Sequence, residues 1–208
     1  PMILRVRVSL PDRPGSLGGV AAAMGFAGAD ILQVVVLERT NERALDDFIV
    51  AWPPGSPVSS LCDELTGLEG AQVVGVWHID EAPGDFDDVA LVERLAADPV
   101  TALAALVEAV PGIFSADWAV LLEAGVVAQE SRRVPAHFEP PQLRGAVPQV
   151  FTLENGTRFA AVPMDGNRTL VAARTVAPPF HPTEVERLAQ LVAVAAAILG
   201  DRSPSTVG

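Results

Sequence analysis

The chain has 208 residues, half of them apolar and 19% charged, enough to bury one large core or two small ones. Its 14 basic residues are all arginine and stand against 26 acidic ones, for a formal net charge of −12. That balance excludes a nucleic-acid or anionic-membrane binder, for which phosphate neutralisation is the main affinity term, and the lack of lysine excludes a Walker A loop or a pyridoxal Schiff base.

Residues Ile3–Leu10 alternate Leu4, Val6, Val8 and Leu10 with Arg5, Arg7 and Ser9, the pattern of a half-buried strand. The run Pro11-Asp12-Arg13-Pro14-Gly15 breaks it, and Ser16 stands where the N-cap of a helix over Leu17–Ala27 is expected, with Gly28 as its stop. Ile31–Leu37 and Ala44–Trp52 read as strands, Val58–Leu68 as a short helix and Ala71–Ile79 as a last strand. The order is βαββαβ, the ferredoxin-like arrangement.

Within this segment, Val8–Leu17 (VSLPDRPGSL), the Ala-rich helix behind it and Gly28-Ala29-Asp30-Ile31 resemble the opening of an ACT domain, over about residues 3–79. ACT domains are small regulatory modules of amino-acid metabolism, and those that bind amino acids use this loop and the start of the second strand, commonly at a dimer interface. The resemblance implies a ligand site of Asp12, Arg13, Gly15, Ser16, Leu17, Asp30, Ile31 and Leu32. Gly15 would let the backbone approach the ligand, and the Ser16 and Leu17 N–H groups would meet an α-carboxylate at a helix start. Asp12 would take an α-ammonium, and Asp30, Ile31 and Leu32 would supply the opposing strand edge. The plainer reading is a turn followed by a capped helix.

Glu81–Asp88 (EAPGDFDD) reads as a linker, dividing residues 1–80 from 89–200, and the polar residues 201–208 (DRSPSTVG) as a disordered tail. Beyond the linker, Val89–Leu95 and Val100–Val110 are helical in pattern, broken at Asp98-Pro99. Trp118–Glu123 and Gly125–Glu130 read as a strand pair, followed by a long proline-containing excursion over 131–148. Asn155-Gly156 and Asp165-Gly166 mark the turns of a meander through Val150–Leu153, Thr157–Met164 and Thr169–Thr175. A last helix, Thr183–Leu199, is expected to open with a Thr183-x-x-Glu186 capping box. Its second half is apolar all round, which calls for burial inside the domain or in an oligomer interface.

This order resembles a GAF domain over about residues 88–200. No bilin-type cysteine or cyclic-nucleotide signature accompanies it, so the resemblance carries no ligand across. The expected fold class is α+β: a ferredoxin-like ACT-like domain, then a GAF-like domain with a central antiparallel sheet and flanking helices.

Chemistry-bearing motifs are sparse. His78, His137 and His181 lie far apart, so no metal is expected, and Cys62 sits beside Asp63 and Glu64, which oppose thiolate formation. No cofactor and no enzymatic activity are expected. With no membrane-length apolar run and no signal layout in residues 1–20, the expected location is the cytoplasm. The expectation is a regulatory homodimer that binds a small molecule, an amino acid above all, and passes the signal to a separate protein partner. A dimerising scaffold that binds nothing is the alternative.

Overall fold

The computed structural model describes residues 1–200; the expected tail at 201–208 lies outside the described residues. The fold is α+β, with two antiparallel sheets and five helices among the described residues, and the chain divides into two compact units, Pro1–Ala82 and a second beginning at Pro83.

The first unit runs β1 (Met2–Pro11), α1 (Ser16–Phe26), β2 (Asp30–Thr40), β3 (Arg43–Trp52), α2 (Val58–Thr66) and β4 (Gln72–Ile79). Its sheet has the order β2-β3-β1-β4, so β3 lies between β1 and β2 and each of β2 and β4 forms an edge. Leu4, Val6, Val8 and Leu10 of β1 pack with Ala44, Phe48, Val50 and Trp52 of β3 against Val20, Ala23 and Met24 of α1 and Leu61 and Leu65 of α2. The apolar alternation of β1 thus points at the helices. The intervening Arg5 and Arg7 are not on a solvent face: both are buried and clamp the buried Asp47, with N–O distances of 2.6–2.9 Å. Each guanidinium also lies 5.6 Å from the centre of the Trp77 ring. Alternation identified the strand correctly and misjudged its second face, because arginine can be buried where a carboxylate meets its fork.

Helix α1 ends as its Gly28 foretells: Ala29 N–H donates to Met24 O and Gly28 N–H to Gly25 O, the paired bonds of a Schellman motif. Its start differs from expectation. Ser16 is the first helical residue, Gly15 holds the N-cap position, and no side chain caps the helix.

The second unit runs α3 (Asp87–Ala97), α4 (Ala102–Phe114), β5 (Trp118–Glu123), β6 (Val126–Glu130), β7 (Gln149–Thr152), β8 (Arg158–Pro163), β9 (Arg168–Arg174) and α5 (Pro182–Gly200). Helix α3 starts inside the stretch read as linker, since Asp87 and Asp88 suit a helix N-terminus and Asp87 accepts the Gly84 N–H at 2.6 Å. Helix α4 continues through Pro111, past the expected end at Val110. Ile113 and Phe114 are buried beyond it, and that burial outweighs the hydrogen bond proline cannot make.

The sheet order is β6-β5-β9-β8-β7, antiparallel throughout. One face carries Ala119, Leu121, Ala160, Val162, Leu170 and Ala172 against the three helices. On the other, Trp118, Val120, Phe159 and Val171 are covered by Val134, Phe138 and Leu143 of the 131–148 loop. The Phe138 ring stands edge-on to Trp118 at 4.8 Å, so this loop is fastened to the sheet by its own aromatic side chain.

The capping box of α5 is shifted from the expected pair. Pro182 takes the first helical position, which suits its missing N–H, so His181 becomes the cap. His181 Nδ1 accepts the Thr183 N–H at 3.2 Å, while Glu184, not Glu186, reaches back to the His181 N–H at 2.8 Å. Val185, Leu188, Leu191, Val192 and Ala195 pack into the unit's own core, and Val194 remains exposed. Among the described residues, no helix is long and apolar enough to cross a membrane.

Candidate functional site

The loop between β1 and α1 is shaped by its own backbone. Asp12 N–H donates to Glu42 O at 2.8 Å, which holds the loop to the β2–β3 turn, and Ser16 N–H donates to Arg13 O at 3.2 Å. Gly15 has φ +91°, a left-handed conformation that glycine adopts without strain. A Cβ there would meet no neighbouring atom, so backbone conformation alone calls for the glycine. Gly15→Ala is therefore expected to cost about 1–2 kcal/mol, seen as a lower urea midpoint for the first unit with an unchanged slope.

Beside this loop lies a cleft of about 280 Å³, lined by Arg13, Pro14, Gly15, Ser16 and Gly19 on one side and by Leu68, Glu69 and Ala71 on the other. Gly70 fixes the far wall: it has φ +77°, and a Cβ added there would lie 2.8 Å from Pro11 Cγ. Arg43 holds the same wall, donating to Gly70 O and to Ser9 Oγ, both at 2.9 Å. The cleft thus carries one cation, Arg13, one anion, Glu69, and the first turn of a helix whose leading N–H groups lack intrahelical acceptors.

Asp12 turns away from this cleft. Its carboxylate accepts two bonds from the Arg39 guanidinium, at 2.7 and 3.0 Å, and that hydrogen-bonded cation holds its pKa below the usual carboxylate value. Sequence reasoning missed Arg39, which lies 27 positions away at the end of β2. The pair is exposed, so Asp12→Ala is expected to leave the melting temperature of the first unit essentially unchanged. A calorimetric scan of the variant beside the parent checks this.

Asp30, Ile31 and Leu32 lie elsewhere. Asp30 pairs with Ala51 and Ile31 with Val50, at the far end of β3 from the Asp12–Glu42 contact. From Arg43, next to that contact, to Ala51 the chain advances eight positions along β3, roughly 27 Å of strand. Within one chain, the sequence-predicted residues therefore form two groups: Arg13, Gly15 and Ser16 at the cleft with Asp12 and Leu17 beside them, and Asp30–Leu32 at the opposite end of the edge strand. Leu32 falls at a register shift in β2 and is exposed, as are Val34, Val35 and Val36 after it.

No family model matches the chain, and no curated protein does. Among solved structures, an unknown protein from Galdieria sulphuraria is 12% identical, with a TM-score of 0.35 over 97% of this chain and 93% of that one. A protein described as a candidate glycine cleavage system transcriptional repressor is also 12% identical, with a TM-score of 0.32 over 94% and 92%. A formyltetrahydrofolate deformylase from Pseudomonas putida is 10% identical, with a TM-score of 0.31 over 46% of this chain and 38% of that one. Likeness at these levels carries neither a fold assignment nor a function, so the chemistry rests on the residues themselves.

The cleft offers one side chain of each charge. Arg13 suits a carboxylate and Glu69 an ammonium, across a cleft of the size of a small polar molecule. Burial and the neighbouring Asp63 push the Cys62 thiol up, opposite to what a nucleophile needs. Among the described residues, no group of three or more His, Cys, Asp or Glu side chains is placed to hold a metal ion.

Proposed function

We propose that the protein is a non-enzymatic regulatory sensor whose first, ACT-like unit binds an amino acid at the loop before α1. The cleft that sets Arg13 and the α1 start on one wall and Glu69 on the other carries this reading, because a zwitterion needs one group of each sign. Its carboxylate would lie toward Arg13 and the helix start, and its ammonium toward Glu69.

Asp30, Ile31 and Leu32 join this site only in a dimer. If two copies pair antiparallel along the β2 edge, the Asp30 end of one strand comes beside the Arg39 end of the other. The exposed apolar residues of β2 favour such pairing, since an unpaired strand edge is a template for another chain. A ligand bound more tightly in one dimer arrangement would then bias that arrangement, and a separate protein partner would read the change. The second, GAF-like unit would present the surface for that partner.

A thermal-shift panel of the common amino acids on the full chain tests the proposal. One class of amino acid is expected to raise the melting temperature, and Arg13→Ala to abolish the rise. The exposed β2 edge equally suits a scaffold that dimerises and binds nothing, for which the panel would be flat while sedimentation still reports a dimer.

A further inference from the structure

The cleft beside α1 sorts its lining by polarity. Its two charged side chains, Arg13 and Glu69, are both exposed, whereas Leu10 and Val20, which also line it, are only 3% and 2% exposed and form its floor. Pro11, Pro14, Leu68 and Ala71 complete the apolar part, and Ser16 adds a hydroxyl. Among the described residues, no third charged side chain lines this cleft. The two α-groups of an amino acid therefore use both charges, and its side chain is left against carbon. A further charge placed there would lose its water and gain no partner.

Gly19 belongs to the helix wall of the same cleft, and nothing within the unit calls for glycine there. It lies inside α1 without a left-handed φ, and its N–H already donates to Gly15 O at 3.0 Å. A Cβ at this position would meet no atom within 4 Å. Glycine is the least favourable residue in a helix after proline, so alanine would serve the helix better. The space that a side chain would take at Gly19 is space of the cleft. Gly18 has the same helical backbone and the same open surroundings but does not line the cleft, so it isolates what the helix alone would gain.

We infer that the ligand is a neutral amino acid with an aliphatic side chain of valine to leucine size, and that Gly19 sets the limit on that size. This rests on the amino-acid reading of the first unit and names the class of side chain its cleft takes. The aliphatic group lies on Leu10, Val20 and Leu68 and reaches the helix at Gly19, where the absent Cβ leaves it room. Apolar surface withdrawn from water supplies the affinity, and each added methylene strengthens it until the cleft of about 280 Å³ is full.

Isothermal titration of the full chain with L-alanine, L-valine, L-leucine, L-serine, L-lysine and L-glutamate tests this. Valine and leucine are expected to bind about 10-fold or more tighter than alanine, with serine, lysine and glutamate behind both. Gly19→Ala is expected to weaken leucine binding about 5- to 10-fold and Gly19→Leu about 100-fold, by filling the space the ligand uses. Gly19→Ala is also expected to melt a few degrees above the parent, which separates lost binding from lost folding. Gly18→Ala is expected to melt higher in the same way and to bind leucine as the parent does. Should Gly19→Leu not fold, the alanine variant decides alone. Unchanged leucine affinity at Gly19→Ala, or an equal loss at Gly18→Ala, overturns the inference. Preference for any of the other four compounds over valine and leucine also overturns it and leaves the amino-acid reading intact. Silence from all six overturns the inference, and silence from the full amino-acid panel overturns the underlying reading as well.

Discussion

Glu184→Ala is expected to destabilise the second unit by about 3–5 kcal/mol, on the order of 10 °C or more in its melting transition. Arg174, at the end of β9, is wholly buried and is held by Glu184 at 2.6 and 3.1 Å. The same guanidinium donates to Phe114 O at 2.6 Å and to Ser115 O at 3.2 Å, and lies 4.0 Å from the centre of the Phe180 ring. It therefore ties the last strand to the end of α4 and to the start of α5. Removing the carboxylate leaves a cation in the interior and strips α5 of the acceptor for its His181 N–H. Replacing both partners, as Arg174→Met with Glu184→Leu, is expected to recover much of the loss, because two apolar side chains need no counter-charge. Calorimetry on the single and double variants separates the two cases. A single variant that melts with the parent would show that the pair contributes nothing.

In the first unit, the corresponding change is Asp47→Ala. Arg5 and Arg7 both converge on this carboxylate, and all three side chains are nearly inaccessible to solvent. Without Asp47 the two guanidinium groups repel across a space that water reaches poorly, at an expected cost of about 3–5 kcal/mol. Urea unfolding followed by tryptophan fluorescence checks this, since both arginines lie over the ring of Trp77. The neighbouring Asp46 lies on the helix-packed face, opposite Val8, with its Oδ1 buried and without a hydrogen-bond partner and its pKa raised by desolvation, so Asp46→Asn is expected to move stability the other way at neutral pH. Two adjacent aspartates with opposite effects are what their two faces imply, and equal effects would contradict the assignment of faces.

The element types were legible in the sequence because their causes are local. Alternating apolar residues made β1 a strand, the Gly28 stop ended α1, and Asn155-Gly156 gave the turn that the structure closes with the Thr157 N–H on Asn155. Charge and composition likewise excluded broad function classes before any coordinate was known. What escaped the sequence depended on partners far along the chain. Arg5 and Arg7 read as solvent-facing because nothing local announces a carboxylate 40 or more positions away. Asp12 read as an open ammonium acceptor because Arg39 returns to it only through the β2–β3 turn. The cap of α5 fell on Glu184, where Arg174 also needed a counter-charge.

The candidate site shows the same division most clearly. Residues 12–17 and the strand start at Asp30 were read as one pocket, and both lie where local pattern put them, on a turn leading into α1 and on a strand. Their distance apart was decided by strand order. Placing β3 between β1 and β2 puts Asp12 and Asp30 at opposite ends of the sheet, and no local signal encodes which strand lies between two others. Periodicity, turns and caps are fixed by neighbours a few residues apart and can be read directly. Strand order, buried ion pairs and the orphaned carboxyl of Asp46 arise when distant segments compete for the same interior, and only the folded chain settles them.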